Sequence, residues 1–190
     1  MPELEDYSGP FNPDLKFEDF SKDFLLKLMN VWQFSYIHML GAWYYAIKKR
    51  FGPEAANACE YWEVVRIGQR VLPKYYPQLA NIEVNTALDA VKLIQLTLDN
   101  ILPSGLFPAK FDIKSPNHVI MTVYNCRVLH FLERDAPERI ASVCHVLEGA
   151  ALEKFAVNPK IKVTPLKLPP LPPQKRTGEL CCQFEYKLEE

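Results

Sequence analysis

A long helical segment near the N-terminal end constrains the fold of this chain more than any other feature. Apolar residues at helical spacing begin after Asp19 or Ser21 and continue to Phe51. Gly52 then supplies a stop signal, and Pro53 suits the first turn of a following helix. One face carries Leu25, Leu28, Met29, Trp32, Tyr36, Met39, Trp43 and Ile47, and the opposite side carries Phe24, Val31, Phe34, Ile37 and Tyr44. A helix that is apolar on opposite sides needs cover on several sides, so we expect a central core helix or a dimer face.

The same segment is long enough to raise the question of a membrane span. Five polar residues interrupt it: Lys27, Asn30, Gln33, Ser35 and His38. Because a spanning helix needs about 20 consecutive, mostly apolar residues, these interruptions favour the core helix or the dimer face. We therefore expect no membrane association.

Charge and composition exclude several classes of partner. The 190 residues are 48% hydrophobic and carry 22 basic against 23 acidic side chains, which gives a formal net charge of -1. Proteins that bind nucleic acid or anionic membranes usually have a basic surplus, which is absent here. The seven glycines include no G-x-G-x-x-G or G-K-[ST] spacing, and this disfavours a nucleotide-dependent enzyme.

The N-terminal segment and the cysteines indicate the cellular compartment. Residues 1–14 are acidic and contain three prolines, which is unlike the basic and then apolar start of a secretory signal peptide. The five cysteines are an odd number, which favours reduced thiols or metal ligands over a disulfide framework. We therefore expect a cytoplasmic protein.

The chain divides into a helical half and a half that contains strands. We expect an α+β fold, in which an N-terminal layer of three helices packs on a small C-terminal antiparallel sheet of βαββ order. The expected segments are an N-terminal tail at 1–16, a helical half at 17–102, a connector at 103–117 and a βαββ half at 118–190, all within one compact domain.

Periodicity and breaking residues give the individual elements. Prolines end the second and third helices, which are expected at 53–71 and 84–102. In the second half we expect a strand at 118–125, a short helical turn at 127–134, a helix at 137–157, a strand at 161–168 and a final strand that begins near Cys182.

Three cysteines are the main chemical signal in the sequence. Cys126 begins a helical turn, where the positive end of the helix dipole favours a thiolate. Cys144 lies on the apolar stripe of the predicted helix at 137–157, and Cys182 lies on the inward face of the final strand. A single free cysteine is more often a small buried hydrophobe than a ligand. Three thiols that converge would instead form a metal or thiol site.

Zinc or another transition metal is the candidate cofactor for such a site. Tetrahedral zinc needs a fourth ligand besides three thiolates, and Glu148 and His130 lie four residues after Cys144 and Cys126. The spacing is neither a CxxC pair nor a zinc-finger pattern, so buried packing thiols remain the alternative. Cys181 is expected on the outer face of the last strand.

Aromatic residues of the first helix are the candidate ligand-binding residues. We expect Trp32, Tyr36 and Trp43, with His38 beside them, to line an apolar pocket for a small hydrophobic molecule. His38 also fits an ordinary boundary histidine, and no catalytic acid or base can be assigned from the sequence.

Several motifs in fixed order resemble a known family. They are Gly41 to Gly52 (GAWYYAIKKRFG), Cys126-Arg127, Asn158-Pro159, Ile161-Lys162-Val163, Pro169-Pro170 and the closing Cys182-Gln-Phe-Glu-Tyr. Together they resemble the uncharacterised prokaryotic cytosolic DUF6125 family. His38 and Leu40 depart from its pattern, which has an acidic residue before the G-x-W motif.

The resemblance extends to two better-known relatives with different activities. Vinyl-reductase-like (4-vinyl reductase) domains bind small hydrophobic molecules, and some hold a structural zinc through cysteines, which here implies Cys126, Cys144 and Cys182. Proteins similar to L-2-amino-thiazoline-4-carboxylate hydrolase imply ring-opening hydrolysis instead.

The sequence therefore leads to two expectations for function. The first is an intracellular module that binds a small hydrophobic ligand, with a cysteine-based metal site and with a homodimer as one arrangement of its long helix. The alternative is a thiol- or metal-dependent hydrolase of a small heterocyclic or amide substrate.

Overall fold

The computed structural model describes residues 3–101, 105–171 and 180–189. Its α-helices are α1 (Lys22–Phe51), α2 (Pro53–Arg70), α3 (Leu72–Ala80), α4 (Ala87–Ile101), α5 (Arg127–Asp135) and α6 (Glu148–Phe155). Its strands are β1 (Ala109–Ser115), β2 (His118–Tyr124), β3 (Ile161–Lys167) and β4 (Leu180–Leu188). The helices dominate the first half and the sheet the second, so the predicted α+β fold is confirmed.

Local signals set the limits of α1 where the sequence predicted them. The Ser21 side chain accepts a hydrogen bond from the backbone N–H of Phe24 at 3.2 Å, which caps the first turn. Gly52 ends the helix with a φ of 89°, a left-handed value that glycine adopts without steric cost.

The position of α1 differs from the expected core helix. All thirty residues of α1 are described, and of these only Gln33 and Tyr44 are buried. The helix packs chiefly against α2, so much of its apolar surface faces outwards. The prediction of a central core helix is therefore wrong, whereas the dimer face stays a prediction.

The helical half contains one helix more than predicted. We expected Pro73 to end the second helix, but it lies in the first turn of α3, where its missing N–H costs nothing. Leu72 and Tyr76 of α3 then pack against Leu93 of α4. The last predicted residue of the third helix, Leu102, lies outside the described residues.

The sheet also has one strand more than predicted, because β1 lies in the segment expected to be a connector. The four strands are antiparallel in the order β1-β2-β4-β3. Prolines at both ends of this segment suggest a loop, but Ala109 to Ser115 pair with β2, with one register shift between Ile113 and Ser115. The expected βαββ order therefore becomes ββαββ.

One face of the sheet forms the core and the other carries polar groups. Val119, Met121, Phe184 and Tyr186 are fully buried beneath α4, α6 and their neighbours. On the other face, the ring of His118 lies 2.8 Å from a carboxylate oxygen of Glu185, and Gln183 donates a hydrogen bond to Thr122. Burial of one face in this way is typical of antiparallel sheets.

The helix predicted at 137–157 consists of three different helical forms. A 3-10 turn at Pro137–Arg139 leads into a π-helical segment at Ala141–Leu147, and only Glu148–Phe155 is regular α-helix. A π-helical turn is wider than an α-helical turn and often occurs at functional sites. Cys144 lies within the π-helical segment, and Glu148 directly follows it.

Among the described residues, no helix combines the length and the apolar character needed to cross a bilayer.

Candidate functional site

An apolar cavity of about 220 Å³ lies between the helical layer and the cysteine-bearing segments. Its walls come from α1 (Tyr36, Ile37, Leu40), α2 (Val64), α4 (Thr97, Leu98) and the segment before β1 (Phe107). The remaining walls are Cys126, Val128, Val143, Cys144, Leu147, Glu148, Ala151, Leu152 and Phe155. Because several separate elements contribute, the cavity exists only when the two halves of the fold are assembled.

Glu148 is the polar centre of this cavity. The Cys182 thiol lies 3.6 Å from its Oε1 atom and donates a weak hydrogen bond. Burial among apolar side chains raises the pKa of the Glu148 carboxyl to about 7, although the Cys182 contact acts in the opposite direction. The carboxyl therefore keeps its proton to a higher pH than an exposed glutamate does.

The three predicted cysteines lie around this carboxyl. Cys126 caps α5 by accepting a hydrogen bond from Leu129 N–H at 3.4 Å. Burial raises its pKa to about 12, and burial together with the charge of Glu148 holds the pKa values of Cys144 and Cys182 well above the usual range. The structure thus brings the three residues into one region, with all three thiols neutral.

Cys181 is buried as well, which corrects its expected place on the outer face. Val123 pairs with Cys182 and Tyr124 with Leu180, so the register shifts and Cys181 has no residue opposite it in β2. Its sulfur accepts a hydrogen bond from the Cys126 backbone N–H at 3.2 Å. A prediction that assumes strict alternation of side chains along a strand does not anticipate such a bulge.

Tyr186 adds an unusual polar group beneath the site. The residue has no exposed surface, and its hydroxyl has no hydrogen-bond partner among the described residues. Burial, followed by the charge of Glu148, raises the pKa of this hydroxyl well above its usual value. A buried hydroxyl without a partner is costly and marks a place where a ligand or an ordered water would gain a hydrogen bond.

The described residues include no group of three or more Cys, His, Asp or Glu side chains arranged to hold a metal ion. Metal ligation requires thiolates, and the burial of these thiols favours their neutral form. His130, considered as a fourth ligand, is exposed on α5, and its Nδ1 lies 3.8 Å from Glu133. The metal assignment to Cys126, Cys144 and Cys182 stays a prediction.

The four candidate ligand-binding residues of α1 separate into two pairs. Tyr36 lines the cavity and donates a hydrogen bond to Glu63 at 2.9 Å, and Trp43 lines a larger groove of about 730 Å³ between α1 and α2. Trp32 is 67% exposed, and the exposed His38 contacts the Phe34 carbonyl oxygen at 2.8 Å. The structure places Trp32 and His38 outside both spaces.

Two residues at the site have only a weak signal in the sequence. Phe107 lies in the segment predicted to be a connector, and Glu148 is predicted as a fourth metal ligand, not as the buried carboxyl of an apolar cavity. An acidic residue between Leu147 and Ala151, on an otherwise apolar stripe, was the available signal for Glu148.

Comparison with protein-family models, with curated proteins and with solved structures finds no match to this chain.

Proposed function

We propose that this protein binds a small apolar molecule in the cavity around Glu148. One observation carries the proposal: a cavity of about 220 Å³ has apolar walls and a single carboxyl. Ligand sites commonly combine apolar walls with a few polar groups that fix orientation. Because an apolar cavity of about 150 Å³ holds benzene, the space here suits one ring with a short side chain.

A route to the cavity leads through the groove between α1 and α2. Tyr36, Leu40 and Val64 line both spaces, so the groove and the cavity meet at these side chains. The hydrogen bond from Tyr36 to Glu63 joins α1 to α2 at the same place. A movement of α1 would widen this junction, and α1 packs chiefly against one neighbouring helix.

A second candidate function is hydrolysis of a small heterocyclic or amide substrate, and the observation that favours it is Glu148. A carboxyl with a pKa of about 7 suits proton transfer at neutral pH. The neutral thiols are poor nucleophiles, so a hydrolase built on this site would use Glu148 to activate water. Its rate would then depend on a group with a pKa near 7 and would be lost in Glu148→Gln.

Titration calorimetry with toluene and indole tests the binding proposal directly. We expect saturable binding of one molecule per chain. Ala151→Phe places a ring inside the cavity and should abolish binding, whereas Ala46→Phe adds the same ring on the exposed side of α1 and should not. Circular dichroism checks that both variants fold, and Ala151→Leu serves as a milder change.

Two results would overturn the proposal. In the first, neither toluene nor indole binds saturably to the wild type. In the second, the wild type and a folded Ala151→Phe variant bind a probe with equal affinity.

A metal at the three cysteines is a separate proposal, and metal analysis of untagged protein purified without chelator tests it. One zinc per chain that disappears in Cys144→Ser would support the site. No metal in either protein would leave the thiols as part of the apolar wall.

A further inference from the structure

The charge of the cavity has one sign. Among the described residues that line it, Glu148 is the one carboxyl, and there is no lysine, arginine or histidine. The other ionisable groups that line it are the thiols of Cys126 and Cys144 and the hydroxyl of Tyr36, and burial raises the pKa of each, so all three are neutral near pH 7. An ionised Glu148 therefore has no cationic partner in the cavity.

The aromatic walls favour the same sign of ligand charge. Tyr36, Phe107 and Phe155 line the cavity together with Glu148. The faces of aromatic rings attract cations, and the attraction is stronger where water is excluded. A cation in this space would lie near a carboxylate and three aromatic rings.

Acceptor atoms complete the arrangement. Among the described residues, the Glu148 carboxyl accepts a weak hydrogen bond from the Cys182 thiol, so its oxygens can also accept one from a ligand. An ammonium group has three donors and no acceptor. A ligand with an N–H donor would therefore supply a strong hydrogen bond to the Glu148 carboxyl, which now accepts a weak one from a thiol.

Resting on the function proposed above, we infer that the ligand is a small organic amine, bound as its cation, with the ammonium group against Glu148 and a ring against the apolar wall. The volume of about 220 Å³ suits an arylalkylamine with one ring and a short chain. Neutral molecules of the same shape would still bind, but more weakly, and carboxylates of the same shape would be excluded.

The experiment compares three probes of similar shape on the full chain by calorimetry: 2-phenylethylamine, 2-phenylethanol and phenylacetate. We expect the amine to bind about tenfold or more tightly than the alcohol, and the carboxylate not to bind. Glu148→Gln should remove the preference for the amine while the alcohol still binds. Glu153→Gln, which changes an exposed carboxyl of the same helix, should leave the preference unchanged.

The outcomes separate the two proposals. Equal affinity for amine and alcohol, with both lost in Ala151→Phe, would overturn the amine assignment and leave the binding function intact. If none of the three probes binds, both proposals fail.

Discussion

The outer face of α1 and the buried face of β4 contain the same kinds of side chain but differ in what covers them. Trp32 and Trp43 on α1 are 67% and 68% exposed, whereas Phe184 and Tyr186 on β4 have no exposed surface. β4 is bonded to a strand on each side and covered by helices on one face, whereas α1 packs chiefly against α2. Apolar character alone does not bury a residue. The number of neighbouring elements decides where the chain gains stability.

This contrast also separates the two parts of the site. The cavity wall from the sheet half and α6 belongs to the densely packed region, and the wall from α1 belongs to the lightly packed one. The predicted homodimer concerns only the lightly packed side, where a second copy would cover the exposed aromatic residues of α1.

The largest expected effect comes from the same truncation made in both regions. Phe184→Ala removes a fully buried ring and should lower the free energy of unfolding by about 3–5 kcal/mol. Trp32→Ala removes a mostly exposed ring and should change it by less than about 0.5 kcal/mol. Urea unfolding followed by far-UV circular dichroism measures both. Similar losses in the two variants would show that the outer face of α1 is covered in solution, and a midpoint that rises with protein concentration would assign the cover to a second copy.

Arg139 links the segment before α6 to α1 and α2, so its removal tests how the two regions are joined. Its guanidinium donates a hydrogen bond to Glu60 of α2 at 2.6 Å and lies 3.6 Å from the centre of the Tyr44 ring of α1. Because Arg139 is buried, Arg139→Ala leaves Glu60 without its cation and should cost about 2–4 kcal/mol.

The matched control for Arg139 is an exposed ion pair on α5. Arg134 forms an ion pair with its neighbour Asp135, and both side chains are exposed. Arg134→Ala should leave the unfolding midpoint unchanged, since exposed pairs contribute little. Equal shifts in the two arginine variants would contradict the proposed junction.

Substitution of two glycines should change the free energy of unfolding by smaller amounts. A Cβ atom on Gly68 of α2 would lie 2.7 Å from Lys154 Cβ and 3.2 Å from Phe155 Cδ1, so Gly68→Ala forces α2 and α6 apart and should cost about 1–3 kcal/mol. A Cβ atom on Gly41 of α1 meets nothing within 4 Å, so Gly41→Ala should stabilise the protein by about 0.5–1 kcal/mol. Thermal unfolding should therefore give shifts of opposite sign. Shifts of the same sign would contradict either the close contact between α2 and α6 at Gly68 or the open surface of α1 at Gly41.

An effect of about the same size as that of Gly68→Ala is expected from a dependence of stability on pH. Burial raises the pKa of Glu148 to about 7, above its ordinary value of about 4.5, so the folded state holds more protons than the unfolded state between these pH values. The wild type should therefore lose about 1–3 kcal/mol relative to Glu148→Gln as the pH rises from about 4.5 to about 7. Urea unfolding at several pH values measures the difference, and Glu153→Gln should follow the wild type. A difference that does not vary with pH would show that the Glu148 carboxyl is solvated.

Sequence reasoning succeeds where the signal is local. Ser21 and Gly52 define the ends of α1 through the backbone groups next to them, which any sequence displays directly. It fails for α3 and β1 because proline fits both the end of one element and the start of the next.

The candidate site is less predictable because its walls are distant in the sequence. Cys126, Cys144 and Cys182 could each be placed on a buried face, and their convergence was a reasonable hypothesis. The pKa of Glu148 and the burial of Cys181 depend instead on a cavity assembled from separate elements and on a register shift between β2 and β4. Neither the cavity nor the shift leaves a pattern in a single segment.

The strand order has a consequence for the time at which the sheet forms during synthesis. β1 and β2 are neighbours along the chain and can pair as soon as both have left the ribosome, but β3 pairs only with β4, the last of the four strands to be made. Hydrogen exchange during refolding should accordingly show β1 and β2 amides protected before those of β3. Until Leu188 has emerged, a nascent chain exposes one unpaired edge on β2 and two on β3, and a chaperone would protect these edges from aggregation.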